Sequence, residues 1–173
     1  ALYIGKNSSV KLQHTALKNN VAELSGGALY LGSPKVSSVS SSLIEHNSAQ
    51  NNSGGGIYLD MFASLYIESS TFLNNSAYFH GAGLAATNSI LSVSRSLFSR
   101  TNLQMKHGGA LYISGENSNT ILTDNNFDHN FAGSNNGNGG AIYITKASTV
   151  FSSRDRYSSN EAKSGNGGAV YME

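Results

Sequence analysis

A phrase of paired glycine, alanine and alternating apolar residues returns along the whole chain, and it constrains the fold more than any other sequence feature. It reads GGALYLG at residues 26–32, GGALYIS at residues 108–114 and GGAIYIT at residues 139–145. A glycine-rich loop that cradles a phosphate occurs once in a domain, whereas this phrase returns every 27 to 31 residues, so it indicates a structural repeat. Pairs equivalent to Gly-Gly begin at Gly26, Gly54, Gly81, Gly108, Gly139 and Gly167.

A second phrase, an aromatic or aliphatic residue followed three places later by asparagine, lies 17 to 19 residues after each glycine pair. It reads FLNN from Phe72 and FDHN from Phe127, whereas FSRT from Phe98 ends in threonine. Runs between the phrases, such as residues 65–72 and 91–98, alternate apolar and polar residues, and this period predicts β-strands.

Such a unit cannot bury its apolar side alone, but stacking unit on unit gives every strand a neighbour. The sequence therefore predicts an all-β fold, a parallel β-helix (solenoid) of about six coils with about 27–28 residues per coil. We expect residues 1–173 to form a single β-helix segment. Because both ends fall inside the first phrase, we also expect it to be a fragment of a longer repeat protein.

Strand periodicity assigns the apolar positions to columns that should form the core. The first column comprises Leu2, Leu29, Ile57, Leu84, Leu111, Ile142 and Val170. The second comprises Ile4, Leu31, Leu59, Ala86, Ile113, Ile144 and Met172. A third column contains the residues that open the second phrase: Leu17, Ile44, Phe72, Phe98, Phe127 and Tyr157.

Glycine and asparagine are expected to shape the corners of each coil. The paired glycines should take backbone angles that are open to glycine, once per coil. Asparagine side chains repeated one strand spacing apart can hydrogen-bond to each other and to the turn backbone. The predicted structural asparagine ladder comprises Asn20, Asn47, Asn75, Asn130 and Asn160, with Thr101 in the coil that departs from the pattern.

The pairing of Gly-Gly-Ala-aliphatic with Phe-x-x-Asn resembles the repeats of the chlamydial polymorphic outer-membrane proteins and similar repeats in other bacterial and eukaryotic surface proteins. The match covers the whole chain, with GGAL at Gly26 and Gly108, GGAI at Gly139 and GGAV at Gly167. The resemblance implies a right-handed parallel β-helix, of the pectate-lyase-like superfold, that serves as an adhesive or structural passenger.

The composition of the chain excludes several classes of partner and site. The 11 Lys and Arg residues against 10 Asp and Glu leave a formal charge of +1, too weak a field to attract nucleic acid or an anionic membrane. No stretch approaches the ~20 apolar residues of a membrane span. The absence of cysteine excludes a disulfide framework and a thiolate metal site. Asn7, Asn51 and Asn74 fit the glycosylation acceptor pattern, which an Asn- and Ser-rich chain also produces by chance.

Two sets of residues on consecutive coils could carry chemistry. Arg95, Asp124 and Arg154 occupy the same place in the repeat, about 4.8 Å apart in a regular stack. They could form half of a site for acidic sugars, but we favour a solvated ion ladder, because a lyase usually needs several acidic groups to hold a metal. His80 and His107 precede successive glycine pairs. No third ligand follows them, so we interpret this place as a polar turn and predict no metal site and no cofactor.

One column on the outward side of the first strand is aromatic, and we name it the tyrosine ribbon. It comprises Tyr3, Tyr30, Tyr58, Tyr112, Tyr143 and Tyr171, and Ala85 interrupts it. Stacked rings beside small residues should form a flat, exposed apolar strip that a subunit, another segment of the parent protein or a sugar chain covers. The alternative is an external aromatic ladder that stabilises the coils without any partner.

These observations favour a non-catalytic structural or adhesive β-helical segment of a larger extracellular or cell-surface protein. We expect its flat ladder surfaces to serve assembly or ligand contact. Its partners would be protein, through self-assembly or other subunits, or surface glycans. The alternative function is a polysaccharide-binding or polysaccharide-degrading β-helix, resembling lyases or glycosidases, with the sugar on the tyrosine ribbon or the arginine ladder.

Overall fold

The structure, a computed structural model, describes residues 1–32, 35–146 and 148–173. Within them the chain forms 25 short β-strands in four parallel sheets, one of seven strands and three of six. Each coil contributes one strand to each sheet in turn, so a strand pairs with the strand four places further along the chain. The predicted all-β parallel solenoid of about six coils is therefore confirmed.

Each sheet runs along the full stack. The first sheet contains β1 (Leu2–Ile4), β5 (Leu29–Leu31), β9 (Ile57–Leu59), β13 (Leu84–Thr87), β17 (Leu111–Ser114), β21 (Ile142–Thr145) and β25 (Val170–Met172). The second sheet contains β2 (Lys11–Gln13), β6 (Val36–Ser40), β10 (Ser64–Glu68), β14 (Ile90–Ser94), β18 (Asn119–Thr123) and β22 (Thr149–Ser153). The third sheet contains β3 (Ala16–Lys18), β7 (Leu43–Glu45), β11 (Thr71–Leu73), β15 (Leu97–Ser99), β19 (Asn126–Asp128) and β23 (Arg156–Ser158). The fourth sheet contains β4 (Val21–Ala22), β8 (Ser48–Ala49), β12 (Ser76–Ala77), β16 (Asn102–Leu103), β20 (Phe131–Ala132) and β24 (Glu161–Ala162).

The strand register brings the predicted core columns together. Leu29 pairs with Ile57, Ile57 with Leu84, and Leu84 with Leu111, and all four side chains are fully buried. The end members of the columns differ from the prediction. Leu2, Val170 and Met172 are exposed, because their strands have a neighbour on one side only. The middle coils therefore hold the core, and each central strand packs between two others.

The third column forms an aromatic stack through the interior. The ring centroids of Phe72 and Phe98 are 4.4 Å apart, and those of Phe98 and Phe127 are 5.2 Å apart. Tyr157 continues the stack 5.1 Å from Phe127. All three phenylalanines are fully buried, and offset stacking of this kind adds to the stability that burial already provides.

The two glycines of each pair are required for different reasons. The first glycine has a positive φ in every coil, as predicted, for example 71° at Gly26 and 73° at Gly108. The second glycine does not. A Cβ at Gly109 would lie 2.1 Å from the Gly140 carbonyl oxygen of the next coil, and a Cβ at Gly27 would lie 2.2 Å from the Gly55 oxygen. Glycine at the second position therefore lets these coils approach closely, whereas Ala82 occupies this position in the coil of Gly81.

The asparagines of the second phrase hydrogen-bond along the stack. Both the backbone amide and the side-chain Nδ2 of Asn47 donate to Asn75 Oδ1, at 3.0 Å each. Asn20 makes the same pair of bonds to Asn47, and Asn130 makes them to Asn160. Thr101 bonds to Asn130 through its amide and its hydroxyl, but the structure records no side-chain hydrogen bond between Asn75 and Thr101 among the described residues. The ladder is thus divided in the coil that departs from the repeat.

Candidate functional site

The tyrosine ribbon consists of two separate stacks of three rings. Tyr30 lies 5.0 Å from Tyr3 and 5.5 Å from Tyr58, measured between ring centroids. Tyr143 lies 5.6 Å from Tyr112 and 5.4 Å from Tyr171. Ala85, on the strand between the two stacks, is fully buried between its register neighbours.

Two histidines cover two of the three rings of the second stack. The imidazole of His80 lies 4.2 Å from the ring of Tyr112, and that of His107 lies 4.3 Å from the ring of Tyr143. The two imidazoles also stack on each other at 5.6 Å. A residue that precedes a glycine pair thus packs over the tyrosine of the next coil, and Tyr143 retains only 5% of its exposure. The expectation of a ribbon exposed along its full length is therefore wrong, and the histidine position is more than a polar turn.

The environment of the histidines lowers their pKa values. Burial, reinforced by His107 and Lys106, lowers the pKa of His80 to about 4. Burial followed by Lys106 also lowers the pKa of His107. The Nδ1 atom of His107 accepts a hydrogen bond of 3.0 Å from the Asn138 amide, whereas the buried Nδ1 of His80 has no partner among the described residues. Both imidazoles are therefore neutral at pH 7 and act as aromatic surfaces.

The tyrosine hydroxyls bond to carboxylates beside the ribbon. Tyr30 donates to Asp60, and Tyr143 donates to Glu173. Burial and then these hydrogen bonds raise the pKa of both phenols well above the ordinary value. The phenols therefore remain protonated and keep the rings in fixed positions.

The first stack lines an open cleft, which we name the tyrosine cleft. It has a volume of about 620 Å³ and is lined by Tyr3, Tyr30, Tyr58, Leu24, Ser25 and Asn52, among others. Tyr3 is 73% exposed and Leu24 is 65% exposed. Ser25 precedes its glycine pair as His80 and His107 do, but its short side chain does not cover a ring. The cleft also borders Ala1 and Leu2 of the first strand, which has a neighbour on one side only. Tyr30 and Tyr58 are half-buried, as Tyr112 and Tyr171 are, so the clearest difference within the ribbon is the burial of Tyr143.

The arginines of the predicted ion ladder have different partners. Arg154 Nε and Nη2 donate to the two carboxylate oxygens of Asp124, at 2.7 and 2.8 Å. This pairing lowers the pKa of Asp124. Arg95 forms its ion pair with Glu68 of the preceding coil instead of Asp124. The predicted ladder is thus replaced by two separate exposed pairs, Arg154 with Asp124 and Arg95 with Glu68, which contribute little to stability.

A positive φ at this position explains why the residue types vary there. The backbone turns between the second and third sheets at one residue per coil, and φ lies between 47° and 57° in each. The residues are His14, Ser41, Ser69, Arg95, Asp124 and Arg154. This repeat position requires a tight turn and points its side chain outward. The charges at Arg95, Asp124 and Arg154 are therefore explained without a common binding or catalytic site.

Sequence reasoning missed a second hydrogen-bonded ladder just inside this turn. The backbone amide of each member donates to a side-chain oxygen of the next coil: Ser42 to Ser70 Oγ, Ser70 to Ser96 Oγ, and Ser96 to Asn125 Oδ1. Asn125 in turn donates to Asp155 Oδ1 from its amide and its side chain, at 2.8 and 2.9 Å. The sequence does contain a pattern that could have predicted this ladder: in each coil a polar residue lies two places before the residue that opens the second phrase. This ladder uses Asp155, one of the few carboxylates near Arg154.

The outer face of the second sheet also escaped sequence reasoning. Tyr66, Ile90, Ile121 and Phe151 are 51%, 50%, 46% and 61% exposed. Tyr66, Ile121 and Phe151 belong to one register column, in which Ser92 lies between Tyr66 and Ile121. These apolar side chains project from a surface otherwise rich in serine and threonine. We call this surface the second-sheet face.

The predicted glycosylation acceptors lie in three settings. Asn7 and Asn51 are exposed, whereas Asn74 is half-buried. Asn7 and Asn74 both have a positive φ, 62° and 52°, at turns. The structure therefore leaves the side chains of Asn7 and Asn51 accessible, and the use of any of the three stays a prediction.

The described residues contain no group of three or more His, Asp or Glu side chains placed to hold a metal ion. They also contain no helix with the length and apolar character of a membrane span. No curated protein and no solved structure matches the chain. The family described as right handed beta helix region matches residues 1–155. With its parallel solenoid and this match over most of its length, the chain belongs to the right-handed β-helix family.

Proposed function

We propose that the protein is a non-catalytic structural or adhesive segment of a larger extracellular or cell-surface protein. The observation that carries the proposal is the second-sheet face, where Tyr66, Ile90, Ile121 and Phe151 are each about half exposed. An exposed apolar group on a flat sheet is typical of a contact surface, because burying it against a partner removes apolar area from water.

Two further features support this function. The serine-rich ladder joins every coil to the next, and the aromatic stack and the divided asparagine ladder add contacts within the stack. Such a segment is a rigid rod that can hold a surface at a distance. The repeated Gly-Gly-Ala-aliphatic and Phe-x-x-Asn phrases resemble the polymorphic outer-membrane protein repeats, which favours a cell-surface location.

Paired substitutions on the second-sheet face test the proposal. Ile121→Ser and Phe151→Ser place at both positions the residue that the same column already contains at Ser38 and Ser92. We expect the double variant to keep its fold and to lose attachment to immobilised surface proteins or glycans, or self-association measured by sedimentation. Thr123→Ala with Ser153→Ala, on the same face, is the matched control. Equal attachment by the two double variants would contradict an adhesive role for this surface.

A second candidate, a polysaccharide-binding or polysaccharide-degrading β-helix, has one observation in its favour. Asp124, Arg154, Asp155 and Arg156 line a shallow recess of about 430 Å³, which gathers carboxylates and guanidinium groups. Incubation with uronic-acid and neutral polysaccharides, followed by detection of new reducing or unsaturated ends, tests it. Turnover that Asp124→Asn abolishes would replace the non-catalytic proposal.

A further inference from the structure

Large and small residues alternate regularly across the second-sheet face. Two outward columns of the strand register lie side by side there, and each coil contributes one residue to each column. The first column contains Val36, Ser64, Ile90 and Asn119, and the second contains Ser38, Tyr66, Ser92 and Ile121. Each of these coils therefore carries one large apolar residue beside a smaller polar one, and the large residue changes column from each coil to the next.

The exposure of the side chains follows the same alternation. Val36 is 59% exposed, whereas Ser64 of the next coil retains only 8% of its exposure. Tyr66, Ile90 and Ile121 are each about half exposed. The strands that carry these residues, β6, β10, β14 and β18, each have a neighbour on both sides, so this exposure does not depend on where the chain begins or ends. Large side chains thus project between recessed small ones along the side of the stack.

A surface with this alternation is complementary to itself. When a second copy faces the first about a twofold axis parallel to the stack, the first column of one copy lies opposite the second column of the other at the same level. Ile90 of one copy then lies opposite Ser92 of the other, and the reverse contact forms as well. Tyr66 and Ser64 are related in the same way. Each large side chain therefore enters the space beside a small one, as in the inner faces of two packed sheets.

The face can be covered without burying an unpaired charge. Between Val36 and Ile121 the two columns contain no charged residue. Glu68, in the next outward column, forms an ion pair with Arg95. Lys11 extends the second column into the first coil, where its flexible chain lets the ammonium group stay in water at the edge of a contact. Covering the face therefore avoids the most costly kind of desolvation, that of an isolated ion.

We propose that the second-sheet face binds a second copy of this chain, with the two stacks side by side about a twofold axis parallel to the stack. This inference rests on the proposed structural or adhesive function and names the partner of its contact surface. The presence of one large and one small residue in every coil has a direct use in a twofold contact, and a different protein or a glycan would not need it.

The size of the face sets the strength of the contact. The four strands have five residues each, so they cover roughly 300 Å² of sheet. A standard complex buries about 800 Å² on each partner. The dimer should therefore be weak and reversible, and it should form at high protein concentration.

Sedimentation of the whole chain over a range of concentrations tests the proposal. We expect a reversible monomer–dimer equilibrium between about 10 µM and about 1 mM. Ser92→Ile makes both residues of one coil large, so the new side chain would meet Ile90 of the second copy and weaken association at least about tenfold. The matched control is Ser76→Ile, at a half-buried outward serine of the fourth sheet, in a column that already carries Val21. It should change the dissociation constant by less than about twofold.

An exchange of the two columns within one coil gives a sharper test. Ile90→Ser combined with Ser92→Ile keeps the apolar area and moves the large side chain to the other column. This double variant should associate with itself as the native chain does, because large residues still meet small ones. Its association with the native chain should be at least about tenfold weaker, because Ile90 of the native chain then meets another isoleucine. Fluorescence-detected sedimentation of a labelled native chain with each unlabelled protein measures the difference.

Far-UV circular dichroism checks that the double variant folds. If it does not, Ser92→Ile and Ser76→Ile still decide the question. A chain that stays monomeric at every concentration would overturn the inference, as would association by Ser92→Ile equal to or stronger than that of the native chain. A double variant that associates equally with itself and with the native chain, or with neither, would contradict the twofold arrangement.

The proposed function has a separate outcome. Attachment of a monomeric chain to immobilised surface proteins or glycans, abolished by Ile121→Ser with Phe151→Ser, would remove this inference alone. The proposed function itself fails when neither attachment nor self-association depends on the second-sheet face.

Discussion

The two halves of the tyrosine ribbon share one backbone and differ in what lies over it. In the first half, Ser25 leaves the rings beside an open cleft of about 620 Å³. In the second half, His80 and His107 cover the rings, and Tyr143 is only 5% exposed. The halves therefore differ in the residue before the glycine pair and in the burial of Tyr143, whereas Tyr30, Tyr58, Tyr112 and Tyr171 are all half-buried.

The coil between the halves departs from the repeat in both of its phrases. Ala85 replaces the tyrosine of the first phrase, and Thr101 replaces the asparagine of the second. The ribbon and the asparagine ladder are consequently divided at the same level of the stack. A repeat protein whose coils interact only with their neighbours can change its surface at such a boundary without changing its fold.

The largest expected effect concerns the backbone that both halves share. Gly27→Ala in the first half and Gly109→Ala in the second would each place a Cβ within about 2.2 Å of a carbonyl oxygen of the next coil. We expect each to destabilise the fold by up to about 3 kcal/mol, because the coils must shift as they do around Ala82, which fills the same position in another coil. Urea unfolding of both variants measures this. A clear difference between them would show that the halves differ in coil spacing as well as in side chains.

A smaller effect, confined to the covered half, should follow from pH. The pKa of His80 is about 4 in the folded chain and 6.5 ordinarily, so the unfolded chain binds a proton that the folded chain does not between these values. Stability should therefore be full above pH 6.5 and fall as the pH decreases towards 4. The charges of His107, Lys106 and Lys146 lower the pKa of His80 further, whereas a hydrogen bond with the His107 backbone raises it.

The free energy of unfolding should fall by roughly 2 kcal/mol over this range. The whole pKa difference of His80 corresponds to about 3.4 kcal/mol, and solvent reduces it because the imidazole is only half-buried. His80→Asn, the residue type that precedes Gly139 and Gly167, should flatten the pH dependence between 6.5 and 4. Thermal or urea unfolding at a series of pH values measures both proteins. An unchanged slope in His80→Asn would assign the pH dependence to other groups.

The sequence predicted the fold well because period and register repeat in every coil. The columns through Leu29 and Phe72, and the glycine turn at Gly26, follow from spacing alone. The packing of His80 and His107 on the ribbon could not be predicted from spacing. It depends on which residue of one coil lies over a ring of the next. The ladder through Ser70 and Asn125 was also missed, because serine, asparagine and aspartate all provide the oxygen that accepts from the amide of the preceding coil. Different residue types at one repeat position hide the pattern in the sequence.

A third prediction would open the covered half. His107→Ser removes the imidazole from Tyr143 and should destabilise the fold by about 1 kcal/mol, the usual value of one aromatic pair. Because burial raises the pKa of Tyr143, its exposure should move that pKa back towards the ordinary value. Spectrophotometric titration of tyrosinate detects the change. His14→Ser, at an exposed turn that carries serine in two other coils, is the control and should leave the titration unaltered.

The smallest expected effect concerns the boundary between the halves. Thr101→Asn would restore the asparagine phrase, so that its side-chain oxygen can accept from Asn75 while its amide still donates to Asn130. We expect a gain of about 0.5–1 kcal/mol, the net value of one buried hydrogen bond less the loss of the existing Thr101 hydroxyl contacts. Urea unfolding measures the gain, and hydrogen exchange at the Asn75 amide shows whether the ladder has been joined. Faster exchange at Asn75 or lower stability in Thr101→Asn would contradict the prediction. It would show that the packing of this coil requires threonine at position 101.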